Sequence, residues 1–82
     1  MLPTPEQIST YISAGLDCVH IDINGDGQHF FATIVSPLFE GKRPIARHQL
    51  VYSALGDRMR EEIHALSMKT LTPAEWQAAQ AA

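Results

Sequence analysis

Few side chains in this sequence are able to do coordination or nucleophilic chemistry: Cys18, the only thiol, and the four histidines His20, His29, His48 and His64. Neutral imidazole and thiolate both ligate transition metals, so these residues define where a metal would be held. Their spacing is not that of a self-sufficient site, because the chain has no CxxC and no paired-histidine motif. On spacing alone, an isolated histidine reads as a capping or solvent-facing group, and a lone cysteine as an inert small residue. Catalysis is disfavoured as well. No nucleophile sits beside a histidine and an acid in a recognisable motif, and there is neither a phosphate loop nor a paired-carboxylate pattern. A thiol-reductase role for Cys18 would need a resolving thiol that the sequence lacks.

The basic side chains offer a second kind of chemistry, contact with phosphates. Residues 1–41 carry five acidic groups and no Lys or Arg, a balance of -5, whereas residues 42–82 hold all six basic groups and balance at +2. Arg43, Arg47, Arg58 and Arg60 are the candidates for an anion-binding surface. They are interleaved with Asp57, Glu61 and Glu62 on a chain of net charge -3, which predicts weak binding to nucleic acid at best.

These residues must be carried by one small domain spanning 1–82. At 82 residues the chain buries only roughly 60% of the surface its unfolded form exposes, so each large apolar side chain counts. Its 45% apolar and 18% charged content excludes an intrinsically disordered chain, and no apolar run approaches a bilayer span of about 20 residues. The start, Met1-Leu2-Pro3-Thr4-Pro5, lacks signal-peptide character; with a single cysteine, a cytoplasmic or otherwise reducing compartment is expected.

Thr4-Pro5-Glu6-Gln7 combines a capping hydroxyl, a proline at the first helical position and a glutamine able to reach back to the cap. Ile8, Tyr11, Ile12 and Leu16 continue at helical spacing, with Gly15 as the expected stop. Val19, Ile21 and Ile23 then alternate with Cys18, His20, Asp22 and Asn24, predicting a half-buried strand whose polar face holds Cys18 and His20. Asn24-Gly25-Asp26-Gly27 reads as a hairpin turn leading into a second strand over 28–36. Ser36-Pro37 ends that strand, and Phe39-Glu40-Gly41-Lys42 makes a turn. From Pro44 to Ile63, Ile45, Leu50, Val51, Ala54, Leu55, Met59 and Ile63 fit two short helices interrupted at Gly56. Leu66 and Met68 alternate with Ser67 and Lys69 in a third strand, and Thr72-Pro73-Ala74-Glu75 opens a final helix that frays over 77–82. Tyr52 and Trp76 read as packing residues, and Arg47-His48 as groups that fix the turn and helix by hydrogen bonding. The order is α-β-β-α-α-β-α. A hairpin makes strands one and two antiparallel and a helical crossover makes strands two and three parallel, so the fold class is α+β with a three-stranded mixed sheet and helices on one face.

Several separated stretches, taken together, resemble the BolA-like proteins: Gly25-Asp26-Gly27-Gln28-His29-Phe30, Ser36, Phe39-Glu40-Gly41, Arg47-His48-Gln49-Leu50-Val51-Tyr52, Ile63-His64-Ala65-Leu66, and Thr70-Leu71-Thr72-Pro73-Ala74-Glu75-Trp76. The resemblance covers about residues 6–76, and the short glycine hairpin is most similar to the IbaG (YrbA) branch. It implies a class II KH-like α/β fold with the order above. It also implies partnership with a monothiol glutaredoxin around a shared [2Fe-2S] cluster, in iron-sulfur cluster trafficking, maturation or iron sensing. The glutaredoxin would supply a cysteine and a bound glutathione thiol, and this chain a histidine and a second ligand from the hairpin region. His64 occupies the family's C-terminal histidine position. Many family members carry a cysteine or histidine within the hairpin loop, and Asn24-Gly25-Asp26-Gly27 has neither. The second ligand is therefore ranked as His29, then His20, then Cys18, with a missing ligand and a weaker or apo complex as the remaining alternative. No cluster is expected on the isolated chain, which should be a monomer or weak homodimer with no membrane attachment.

The family has also been regarded as transcription regulators, which leaves DNA binding through a helix-turn-helix-like segment at 44–63 as the alternative function. The basic Gly-x-x-Gly loop of RNA-binding KH domains has no counterpart, since Gly25-Asp26-Gly27 is acidic and differently placed.

Overall fold

In the computed structural model, which describes residues 3–57, 63 and 65–81, the chain enters its first helix through the capping box anticipated from Thr4 and Gln7. The Gln7 amide donates to Thr4 Oγ1 at 3.1 Å and the Thr4 amide to Gln7 Oε1 at 2.9 Å, so two otherwise orphaned donors are satisfied. This helix, α1 (Pro5–Gly15), buries Ile8 and Ile12 completely, and Leu16 closes the stripe just past its end. The helix stops at Gly15 as expected, without a positive φ there, and Leu16 follows in extended conformation. The lack of a side chain at Gly15 serves packing instead. A Cβ there would lie 2.9 Å from the Ala54 Cα, a separation that would force the two helices apart.

Strand β1 (His20–Gly25) pairs antiparallel with β2 (His29–Val35), and β2 pairs parallel with β3 (Ala65–Leu71), in the order β1-β2-β3. The mixed sheet is the one the hairpin and crossover predict. Its inward face carries Ile21 and Ile23 from β1, Phe30, Ala32 and Ile34 from β2, and Leu66 and Met68 from β3. Val19 does not join this face. The strand begins one residue later, leaving Val19 57% exposed, while Cys18 turns inward and packs against the core.

A single 3-10 turn (Pro37–Phe39) follows β2 and inserts Phe39 fully into the core. Ser36 builds this corner. Its buried hydroxyl donates to the Asp17 carbonyl and accepts from the Leu38 amide, and its own amide donates to the Leu71 carbonyl at 3.0 Å. Helix α2 (Pro44–Leu55) lies against α1 and buries Val51 and Leu55, whereas Ile45, in its first turn, faces solvent. It ends at Gly56, where φ is +59°, the left-handed region that favours glycine. The second short helix expected beyond Gly56 falls on residues 58–62, outside the described residues.

Helix α3 (Pro73–Ala81) opens with a second reciprocal cap: the Glu75 amide donates to Thr72 Oγ1 at 3.1 Å and the Thr72 amide to Glu75 Oε1 at 2.8 Å. Arg47 locks this cap to the rest of the domain. Its guanidinium donates to Glu75 Oε1 at 2.7 Å, to the Thr70 carbonyl at 3.1 Å and to the Lys42 carbonyl at 2.9 Å, and its carbon stands 5.9 Å from the centre of the Phe39 ring. No helix among the described residues is long and apolar enough to cross a membrane.

Glu75 is held below the usual carboxylate range, first by its bond from Arg47 and then by the Thr72 amide. A depressed folded-state value stabilises the fold above the unfolded glutamate value of about 4.3 and loses that contribution as pH falls through the folded value. Thermal melting points of the wild type and Glu75→Gln should therefore differ at pH 7 and converge as pH falls from about 4.3 towards 2. A constant difference across that range would show that the ionised carboxylate does not contribute.

Candidate functional site

The hairpin is shaped by one carboxylate and two glycines. Asp26 Oδ1 accepts from the backbone N–H groups of both Gln28 and His29, each at 2.9 Å. Those amides, His29 first and Gln28 next, hold the Asp26 carboxyl below its ordinary range. Gly27 has φ +99°, and a Cβ on Gly25 would lie 2.5 Å from both the His29 carbonyl oxygen and Phe30 Cδ1. The turn thus folds tightly over the end of the sheet and fixes the backbone of His29, the first residue of β2.

The parallel register then decides what His29 faces. His29 pairs with Ala65, the first residue of β3. His29 is exposed, and alternation along β2 puts it on the side opposite the core residue Phe30. Phe31, 61% exposed, sits between Asn24 and Ser67 in register on the core-free side of the pleat and borders a shallow depression of about 290 Å³ that also reaches Lys69. Phe31 lies within the second strand expected over 28–36 but is not among the candidate site residues of the sequence. The alternation of Phe30, Ala32 and Ile34 as the inward set was the available signal.

His20 and Cys18 stand at the other end. His20 pairs with Val35, six residues along β2 from His29, a separation of about 20 Å at strand rise. Its ring is stacked on Trp76, with centroids 4.7 Å apart and planes at 17°. Cys18 is not on the polar face of a strand: it precedes β1, is half-buried, and its Sγ donates to the Leu16 carbonyl at 3.4 Å. Burial, and then the neighbouring Asp17 charge, push its thiol up, which disfavours the thiolate needed for ligation or nucleophilic attack. Neither residue shares an end of the sheet with His29. His64 lies outside the described residues, as do Arg58 and Arg60. Among the described residues no group of three or more His, Cys, Asp and Glu side chains is arranged to hold a metal ion.

Of the remaining basic candidates, Arg43 is exposed just before α2. Arg47 is not free to meet phosphates. Only 11% of its side chain is exposed, and its guanidinium is committed to Glu75 and two carbonyls, which makes it a structural staple.

The antiparallel hairpin and the parallel crossover define a small α+β domain with a three-stranded mixed sheet, and an exposed histidine stands at the end the two pairings share. The sequence profile of the BolA-like protein family matches residues 4–75, and the chain belongs to that family. It is 49% identical over 53 residues to the DNA-binding transcriptional regulator BolA of Vibrio cholerae, covering 65% of this chain but only half of that protein. It is 35% identical over 71 residues to the acid stress protein IbaG of Escherichia coli K12, covering 85% and 84% of the two chains. The structure of a bolA protein homologue from Coxiella burnetii superposes with a TM-score of 0.84 at 43% identity, covering 93% of this chain and 99% of that one.

Because Asp26 alone caps both amides, Asp26→Ala should accelerate hydrogen exchange at Gln28 and His29 by roughly tenfold, while Asp26→Asn, which keeps an acceptor oxygen, should change it much less. Equal exchange in wild type and Asp26→Ala would show that the carboxylate does not hold the turn.

Proposed function

We propose that this chain is an adaptor, not an enzyme, that partners a monothiol glutaredoxin and shares a bridging [2Fe-2S] cluster with it in cluster trafficking, maturation or iron sensing. His64 and His29 are the ligands from this side, and the glutaredoxin cysteine and a glutathione thiol those from the other. Cys18 and His20 take no part, being occupied elsewhere in the fold. The observation that supports the reading is the β2–β3 register, which pairs His29 with Ala65, the residue that directly follows His64 in the sequence. Imidazole ligands carry no negative charge and raise the potential of a [2Fe-2S] centre relative to all-thiolate ligation. Two histidines are too few to hold a cluster alone, which suits a half-site completed by a partner.

A second reading, DNA binding, is favoured by the similarity to a protein described as a DNA-binding transcriptional regulator. Arg43 remains available to it, with Arg58 and Arg60 as sequence candidates; Arg47 does not. Phosphate contact of this kind must weaken as salt rises.

Mixing the purified protein with cluster-loaded monothiol glutaredoxin should convert the glutaredoxin homodimer to a heterodimer with an altered visible circular dichroism spectrum. His64→Ala should abolish that spectrum, and His29→Ala should weaken cluster retention by at least roughly tenfold, both with melting points near wild type. An unchanged spectrum with wild type overturns the cluster reading. Equal losses of melting point and spectrum in the variants would assign the histidines to the fold. Duplex titration at two salt concentrations decides the DNA reading, and absence of binding at low salt removes it.

A further inference from the structure

The proposed role makes no use of the stacked pair at the opposite end of the sheet. His20 opens β1 and is half-exposed, so protons reach it freely. Its side chain lies on the side of the sheet away from Ile21, which packs into the core. Trp76, in the first turns of α3, covers it at 4.7 Å with nearly parallel rings. Val35, in register with His20, is completely buried yet is not part of the main core cluster, and Leu71 continues the same row on β3. The stack therefore joins α3 to β1 at the end of the sheet away from the hairpin, in the row that also holds Val35 and Leu71.

We propose that the His20–Trp76 stack is an acid-tightened latch on the C-terminal helix. With neutral imidazole the contact is an ordinary aromatic stack; protonation places a cation on the indole face, where the ring quadrupole attracts it. The charge has no competing partner within its own row. Val35 and Leu71 are apolar, Asp22 stands two residues along β1 opposite Thr33, and Lys69 lies two strands away in that same Thr33 row. On α3 the only charged side chain is Glu75, which is committed to Arg47. Asp17 and the Cys18 thiol precede β1, and Cys18 is directed to the Leu16 carbonyl. Histidine is the side chain type whose charge changes within a window of about pH 5–8. Cation–π attraction favours the folded, protonated state, so the latch is tightest in acid and relaxes as pH rises through that window. This device goes beyond cluster sharing and does not depend on it.

Trp76 is the only tryptophan, so its emission reports the stack directly. Emission of the full chain should fall between pH 8 and pH 5, because an imidazolium in contact quenches indole. Hydrogen exchange in α3, corrected for the intrinsic pH dependence, should be about two- to fivefold slower at pH 5.5 than at pH 7.5. His20→Phe keeps a stacked ring without a titratable charge and should flatten both profiles. Proton NMR of the wild type supplies a readout that needs no variant: the Trp76 Nε1–H shift should titrate with the same midpoint as His20 Cε1–H. PH-independent exchange in the wild type, an unchanged acid transition in His20→Phe, or unequal NMR midpoints would overturn the latch.

Discussion

The parallel pairing of β2 with β3 is the constraint on which the rest of this structure depends. Its two strands are separated in sequence by the 3-10 turn, α2 and the segment after Gly56, so the pairing forms only when a long crossover closes. Once it forms, Phe30, Ala32 and Ile34 on the central strand are flanked by β1 on one side and Leu66 and Met68 on the other, and α1 and α2 have a continuous apolar floor to cover. The same pairing fixes the chemistry of the sheet end, because a one-residue slip would turn every side chain of β3 to the opposite face.

Several polar contacts hold the crossover in register. Ser36 joins the end of β2 to the Asp17 and Leu71 carbonyls at a corner that is otherwise apolar. Arg47 joins the start of α2 to the Thr70 carbonyl of β3 and to the cap of α3, so a single guanidinium ties three successive elements. Both groups are largely removed from water, and each is satisfied by partners distant in sequence, which suits them to specify one arrangement of the strands. Gly15 contributes by absence, allowing α1 to approach Ala54 more closely than any side chain would permit.

Functionally the sheet has two unlike ends. At the hairpin end an exposed histidine sits on a backbone pinned by Asp26 and pairs with the first residue of β3; at the other end a half-exposed histidine is stacked on the only tryptophan. Along β2 the two histidines are separated by about 20 Å, so they cannot act on one common ligand.

Local features were legible from the chain alone, because each rests on contacts within a few residues. The Thr4–Gln7 and Thr72–Glu75 caps, the Gly25–Gly27 hairpin, the stop at Gly56 and the inward parity of Leu66 and Met68 are all of this kind. The mixed sheet followed because a hairpin and a helical crossover allow little else. Only the tertiary structure decided that Arg47 is a staple and not a phosphate contact, that Gly15 is a point of helix contact, and that Cys18 turns inward while Val19 faces water. It alone separated His20 from His29. Residue types and spacing state what a side chain can bind, but partners are chosen by strand register and by packing between segments far apart in sequence, where several satisfied arrangements compete and only the three-dimensional fold selects one.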